Sequence, residues 1–256
     1  MLIAVAVVPG PPAFVAELMG SAAHELDDLR QAADSVVSLA VSDLVAALAD
    51  SPSSPSASAQ LVVVGSGEPR EFKAIGPVSF SSFGRDVELP ALVEGEPTEP
   101  ELPTPLMVAR YLASRDIATH PEHEDVWASA RWITTGGADA TALGDELRED
   151  GTRVALILVA DGAASHGPKA PRAEDSRAQA FDDAVCAALA SGELGRLARI
   201  DVDLGHELGA SGPQVWPVVS ASAGSDGIGE VLWRGAPYGV GWVVAAWRPA
   251  QDAARA

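Results

Sequence analysis

The chain has a single cysteine, Cys186, in 256 residues, which excludes an intramolecular disulfide and a thiolate metal cluster and fits a reducing, cytoplasmic setting. Basic charge is scarce as well. Seventeen Lys and Arg stand against 36 Asp and Glu, only Lys73 and Lys169 are lysines, and the formal charge of −19 would repel a phosphate backbone. Nucleic acid is therefore not an expected partner. Uninterrupted apolar runs stay at strand length, so no membrane span is expected. The apolar opening Leu2–Val8 has no basic residue before it and stops at Pro9-Gly10-Pro11-Pro12, which reads as a buried first strand and not as a signal peptide. Recognisable catalytic words are missing too. Gly65-Ser66-Gly67 follows a strand, but Arg70 stands where G-x-G-x-x-G needs its last glycine, and neither a P-loop nor a G-x-S-x-G elbow occurs.

What is present is an alternation of strand-like and helix-like segments, which predicts one α/β domain over residues 1–256: a mixed β-sheet flanked by helices on both faces. Leu26, Leu29, Ala33, Val36, Ala40, Leu44 and Leu48 recur at helical spacing, and the helix should end near Asp50 at a Ser/Pro run. Residues 51–60 and the acidic, proline-rich residues 94–105 read as surface loops, and Phe72–Val93 as irregular. Leu61–Val64, Val126–Thr134 and Val154–Ala160 read as strands, and Leu106–Arg115 and Ala140–Glu149 as helices. Helices carrying Phe181, Val185 and Leu189 and then Leu204, Leu208, Val215 and Val219 precede a closing strand pair around Gly235-Ala236-Pro237. Trp216, Trp242 and Trp247 are expected in the core.

In an open α/β sheet, ligands bind beyond the carboxyl ends of the strands, so the segments after Val8, Val64 and Ala160 are the places to look. Of the five histidines, His24 and His206 lie within helical stretches and read as packing or surface residues. His120-Pro121-Glu122-His123-Glu124-Asp125 has two imidazoles among carboxylates, which suits a metal as well as an ordinary charged helix start. His166 is singled out because Asp161-Gly162-Ala163-Ala164-Ser165-His166-Gly167 follows the strongest strand in a glycine-rich turn. An imidazole exposed there could serve as general base.

Several short segments carry a family resemblance: Val159-Ala160-Asp161-Gly162 through His166-Gly167, Lys169-Ala170-Pro171, Phe181-Asp182 and Ala236-Pro237-Tyr238-Gly239-Val240-Gly241-Trp242, with Val7–Pro12 and Val62–Gly65 compatible. On these the chain resembles the class III extradiol dioxygenases (LigB/MEMO-like), and within them a bacterial branch. The resemblance implies a LigB-like mixed sheet and, in active members, a mononuclear Fe(II) held by two His and one carboxylate, with a further His as base. His166 falls at the position of that base, with Asp161 displaced from the family spacing. The iron-ligand positions fall on Pro9 or Gly10, on Gly67 or Glu68, and on Ser211 or Gly212, so the implied iron site is degenerate. The resulting expectation is a protein that has lost the iron and binds a small ligand or a partner chain in a cleft lined by Pro9, Gly10, Gly67, Glu68, Asp161, His166, Lys169 and Ser211. Lys169 would face an anionic ligand there, and a homo-oligomer or a partner chain is compatible with the family. The alternative is a metal-dependent enzyme, dioxygenase-like or hydrolytic, with Fe(II) or Zn in a site rebuilt around His166, Asp161 and Glu68.

Overall fold

The computed structural model describes residues 1–49, 58–99, 101–224 and 226–250. In chain order the elements are β1 (Leu2–Val8), α1 (Ala16–Met19), α2 (Asp27–Ala49), β2 (Ala59–Ser66), β3 (Arg70–Phe72), β4 (Val78–Ser79), β5 (Glu88–Leu89), α3 (Thr104–Thr119), α4 (Glu124–Ala128) and β6 (Arg131–Thr135). They continue with α5 (Ala138–Glu149), β7 (Arg153–Val159), α6 (Ala178–Ala190), α7 (Val202–Leu208), α8 (Gly212–Ser222), β8 (Gly227–Gly235) and β9 (Trp242–Pro249).

Seven strands form one sheet in the order β3-β6-β2-β7-β1-β9-β8, and β4 pairs with β5 apart from it. The four strands β6, β2, β7 and β1 run parallel, while β3 at one edge and the β9–β8 hairpin at the other are antiparallel. This is the mixed α/β sheet expected from the sequence. The central strands are apolar on both sides because both faces are covered. On β2, Leu61 and Val63 face a core shared with α2 and α3, whereas Val62 and Val64 face the core built by α5, α6 and α8. Trp216, Trp242 and Trp247 are buried, as expected.

The helical stretch Ala16–Ala49 is, by length and composition, sufficient to cross a membrane, although no uninterrupted apolar run reaches that length. In this fold its apolar stripe lies against the sheet: Leu29, Ala33, Val36, Val37, Ala40, Val41 and Leu44 are buried. Arg115 grips Asp34 and Arg248 grips Asp43 with two hydrogen bonds each, tying α2 to α3 and to β9.

Some boundaries differ from the sequence reading. Val126 and Trp127 belong to α4 and the strand begins only at Arg131, because these two apolar residues fill the core from one helical turn. Ala59 and Gln60 pair with β7 and so are strand, not loop, while residues 51–57 lie outside the described residues. Thr104 and Pro105 open α3, with proline at the first turn where its missing N–H costs nothing. Within Phe72–Val93, β4 and β5 form a small hairpin-like pair.

Candidate functional site

Because β1, β2, β6 and β7 are parallel, their carboxyl ends share one edge of the sheet, and the segments leaving β1 and β7 meet there. Asp161, two residues past β7, is the centre of that meeting. Its Oδ1 accepts a hydrogen bond from the Gly10 N–H at 3.0 Å, its own N–H donates to Ser211 Oγ at 2.9 Å, and its carbonyl accepts from the Gly212 N–H at 2.9 Å. Burial pushes its carboxyl up to about 7, with neighbouring Asp182 adding to the rise, while the Gly10 N–H and the Ser211 hydroxyl pull the other way. Pro9 and Gly10 are buried.

His166 lies further along the same segment, which is pinned on both sides. The His166 N–H donates to the Gly239 carbonyl, the Gly162 N–H to the Gly241 carbonyl and the Gly241 N–H to the Ala163 carbonyl, while the Ala164 N–H donates to Leu208. The imidazole Nε2 stands 2.6 Å from Asp182 Oδ2, and Asp182 Oδ1 accepts from the Ala163 N–H at 2.9 Å. With the carboxylate accepting, Nε2 carries the proton in the neutral ring and Nδ1 keeps a lone pair, the tautomer a general base needs. Burial raises the Asp182 carboxyl, against the Ala163 N–H and His166, which lower it.

Asp182 reaches this place because residues 162 and 241 are glycines. A Cβ on either would overlap the Asp182 carboxylate. Tyr238, beside this contact, has a left-handed φ of 57° and donates its hydroxyl to Glu25 at 2.8 Å, a local strain of the kind that concentrates at functional sites.

A cavity of about 240 Å³ opens beside the His166–Asp182 pair, between α6 and the β8–β9 hairpin. Its polar wall is made by His166, Asp182, Asp183, Gln179 and Arg234, and its apolar wall by Val185, Cys186 and Val243. Arg234 donates to Asp183 at 2.9 Å, so this cation is shared with a carboxylate. The Cys186 thiol is pushed up by burial, which leaves it a weak nucleophile.

The structure therefore brings Gly10, Asp161 and Ser211 together in one hydrogen-bonded knot and puts His166 at a cavity next to it. Pro9, Gly10, Gly67, Glu68, Lys169 and Ser211 do not line that cavity. Glu68 is exposed beside β6, its carbonyl accepting from Thr134 Oγ1, and two strands, β7 and β1, separate β2 from β9. Lys169 is exposed. Asp182, Arg234 and the two seat glycines are not marked as site residues by the sequence. For Asp182 and the two glycines the only hint is their place in the words Phe181-Asp182, Gly162 and Gly241-Trp242, and nothing in helical spacing marks Asp182 as inward; for Arg234 there is no such word.

The two-His-one-carboxylate iron set does not fit this edge. A Cβ at residue 10 would overlap Val159 at 2.8 Å, Gly67 supplies no side-chain donor, and Ser211 is spent on Asp161. Among the described residues, the group of three ligand-type side chains is His120, Glu122 and His123, on the α3–α4 corner. His123 is buried there against Asp116.

Compared with protein-family models and with curated proteins, the chain matches none.

Proposed function

We propose that the protein is a LigB-like domain without the iron centre, and that it binds a small hydroxylated molecule in the cavity beside His166 and Asp182. The observation that carries this reading is the seat of Asp182: two glycines, a backbone N–H and an imidazole are arranged around one carboxylate at a cavity wall. A carboxylate held away from bulk water at this cost in side-chain volume is typical of a site that uses it.

Chemistry narrows the ligand. At about 240 Å³ the cavity falls below the roughly 300–1,000 Å³ of pockets for drug-sized compounds, so it suits a single-ring molecule. Its wall offers carboxylate and imidazole acceptors, and its one cation is already paired with Asp183. Hydrogen-bond donors such as phenolic hydroxyls are favoured over anions. His166, oriented by Asp182, would accept such a proton, which supports binding of a phenol or catechol and gives a basis for acid–base chemistry on it. The rebuilt metal enzyme is less well supported, because the carboxylates it needs are not at hand: Glu68 lies apart from the cavity and Asp161 Oδ1 is taken by the Gly10 N–H.

The test is thermal stabilisation of chelator-treated protein by catechol, with the anionic 3,4-dihydroxybenzoate expected to stabilise less. Stabilisation that persists with chelator and disappears in His166→Ala is expected. Stabilisation that requires added Fe(II) would overturn the reading.

A further inference from the structure

A second group of side chains, outside the cavity, is arranged for a different ligand. Asp116 on α3 is buried, and its Oδ2 accepts from His123 Nδ1 at 2.8 Å and from Trp127 Nε1 at 2.7 Å, while Oδ1 is buried with no hydrogen-bond partner. No Lys or Arg pairs with it among the described residues. A buried carboxylate with two neutral donors is under-compensated, and the deficit is removed if its histidine carries positive charge or holds a cation.

The geometry favours the second solution. With Nδ1 donating to Asp116, His123 keeps its lone pair on Nε2, whose neighbour at 3.3 Å is the hydroxyl of Ser42 on α2, a contact that a bound ion would replace. Carboxylate–histidine pairs of this kind are the usual backing of a metal-bound imidazole. His120 and Glu122 stand beside it, and one ligand atom from each of the three residues lies within 4.8 Å of the others. His120 Nδ1 is 3.4 Å from Glu122 Oε1.

We propose that His123, His120 and Glu122 form a binding site for one divalent transition-metal ion of the zinc type, with Asp116 behind it as the carboxylate that orients and charge-balances His123. Two imidazoles, one carboxylate and a water give the four-coordinate N/O set zinc takes, and the charges of Glu122 and Asp116 together offset the ion. As the rings stand, His120 and His123 stack at 4.9 Å with planes 19° apart, and near-parallel stacked planes cannot both aim a lone pair at one ion. Binding therefore requires His120 to turn. Its side chain is 41 % exposed and that of Glu122 is 63 % exposed, so both are free to do so, while buried His123 stays fixed.

The experiment titrates Co²⁺ and Zn²⁺ into chelator-stripped full-length protein, reading stoichiometry by calorimetry and coordination by the visible spectrum of Co²⁺. One equivalent is expected, with tetrahedral Co²⁺ bands displaced by Zn²⁺. His120→Ala and Glu122→Gln, both at exposed positions, should each weaken binding by about tenfold or more, and His166→Ala should leave it unchanged. His123→Ala is avoided as the primary variant because it strips a buried carboxylate of its partner. Absence of saturable binding, binding unaffected by His120→Ala and Glu122→Gln, or binding lost in His166→Ala would each overturn the site; the first two leave catechol binding at the cavity untouched, and the third alone would also place a metal at His166.

Discussion

His166 Nε2 lies 2.6 Å from Asp182 Oδ2, in a contact that joins the segment after β7 to the second turn of α6. The carboxylate fixes both the direction of the ring and the nitrogen on which its proton resides. Asp182→Asn keeps the shape but can present an amide N–H to Nε2, so the ring is left in the wrong tautomer or rotated. Catechol affinity is expected to fall by about 10- to 150-fold, the effect of losing one charge-assisted hydrogen bond of roughly 1.5–3 kcal/mol. Calorimetric titration of the variant checks this, with circular dichroism showing an unchanged fold.

Gly241 is required by Asp182 as closely as His166 is. In Gly241→Ala the new methyl overlaps the carboxylate and forces Asp182 or the β8–β9 connection to move. Overpacking of this kind costs about 1–3 kcal/mol, so chemical denaturation should show a loss in that range together with lost ligand binding. Gly224→Ala, where a Cβ meets nothing within 4 Å, is the control and should do neither.

Asp161 makes stability depend on pH. Its carboxyl titrates near 7 in the folded protein against an ordinary value near 4, so the folded state holds the proton more tightly than the unfolded chain. The stabilisation is complete below about pH 4 and is lost as pH rises through about 7. Asp161→Asn keeps an acceptor for the Gly10 N–H and removes the titration. Urea unfolding between pH 4 and 8 should show a falling stability in the wild type and a flatter profile in the variant, with a residual slope of the same sign from Asp182, whose carboxyl is also raised by burial.

Arg110 tests the energetics of the other core. It is fully buried on α3, donates to the Pro90 carbonyl and to Ser114, leaves Nε unpartnered and has no carboxylate partner among the described residues. Burial lowers its guanidinium to about 10. Arg110→Met, which fills similar space without the desolvated charge, should be neutral or stabilising by about 1–4 kcal/mol. A clear destabilisation in urea would show that the Pro90 contact outweighs the cost of burial.

The fold is legible where one physical signal dominates. Leu61–Val64 and Val154–Val159 are unbroken apolar runs because both faces of the sheet are covered, and the spacing from Leu29 to Leu44 follows the buried side of α2. The misplaced strand start at Val126 shows the limit: Val126-Trp127 is apolar for either state over so short a run, and the contacts that go with the helical turn, Trp127 against Trp132 at 5.8 Å and Trp127 Nε1 on Asp116, are tertiary. Asp161 and Gly10 are legible because they follow strand ends, whereas Ser211 is marked only through the family resemblance. Asp182 is not, because its inward direction depends on the absence of Cβ atoms at residues 162 and 241, far away in sequence.

The most direct measurement is NMR of the His166 ring, labelled at Cε1, during titration of chelator-treated protein with catechol. The His166 resonance should shift saturably while those of His24 and His206 stay in place, and Asp182→Asn should abolish the shift. A His166 resonance that does not move, or that moves only after Fe(II) is added, would contradict an iron-independent binding site at this cavity.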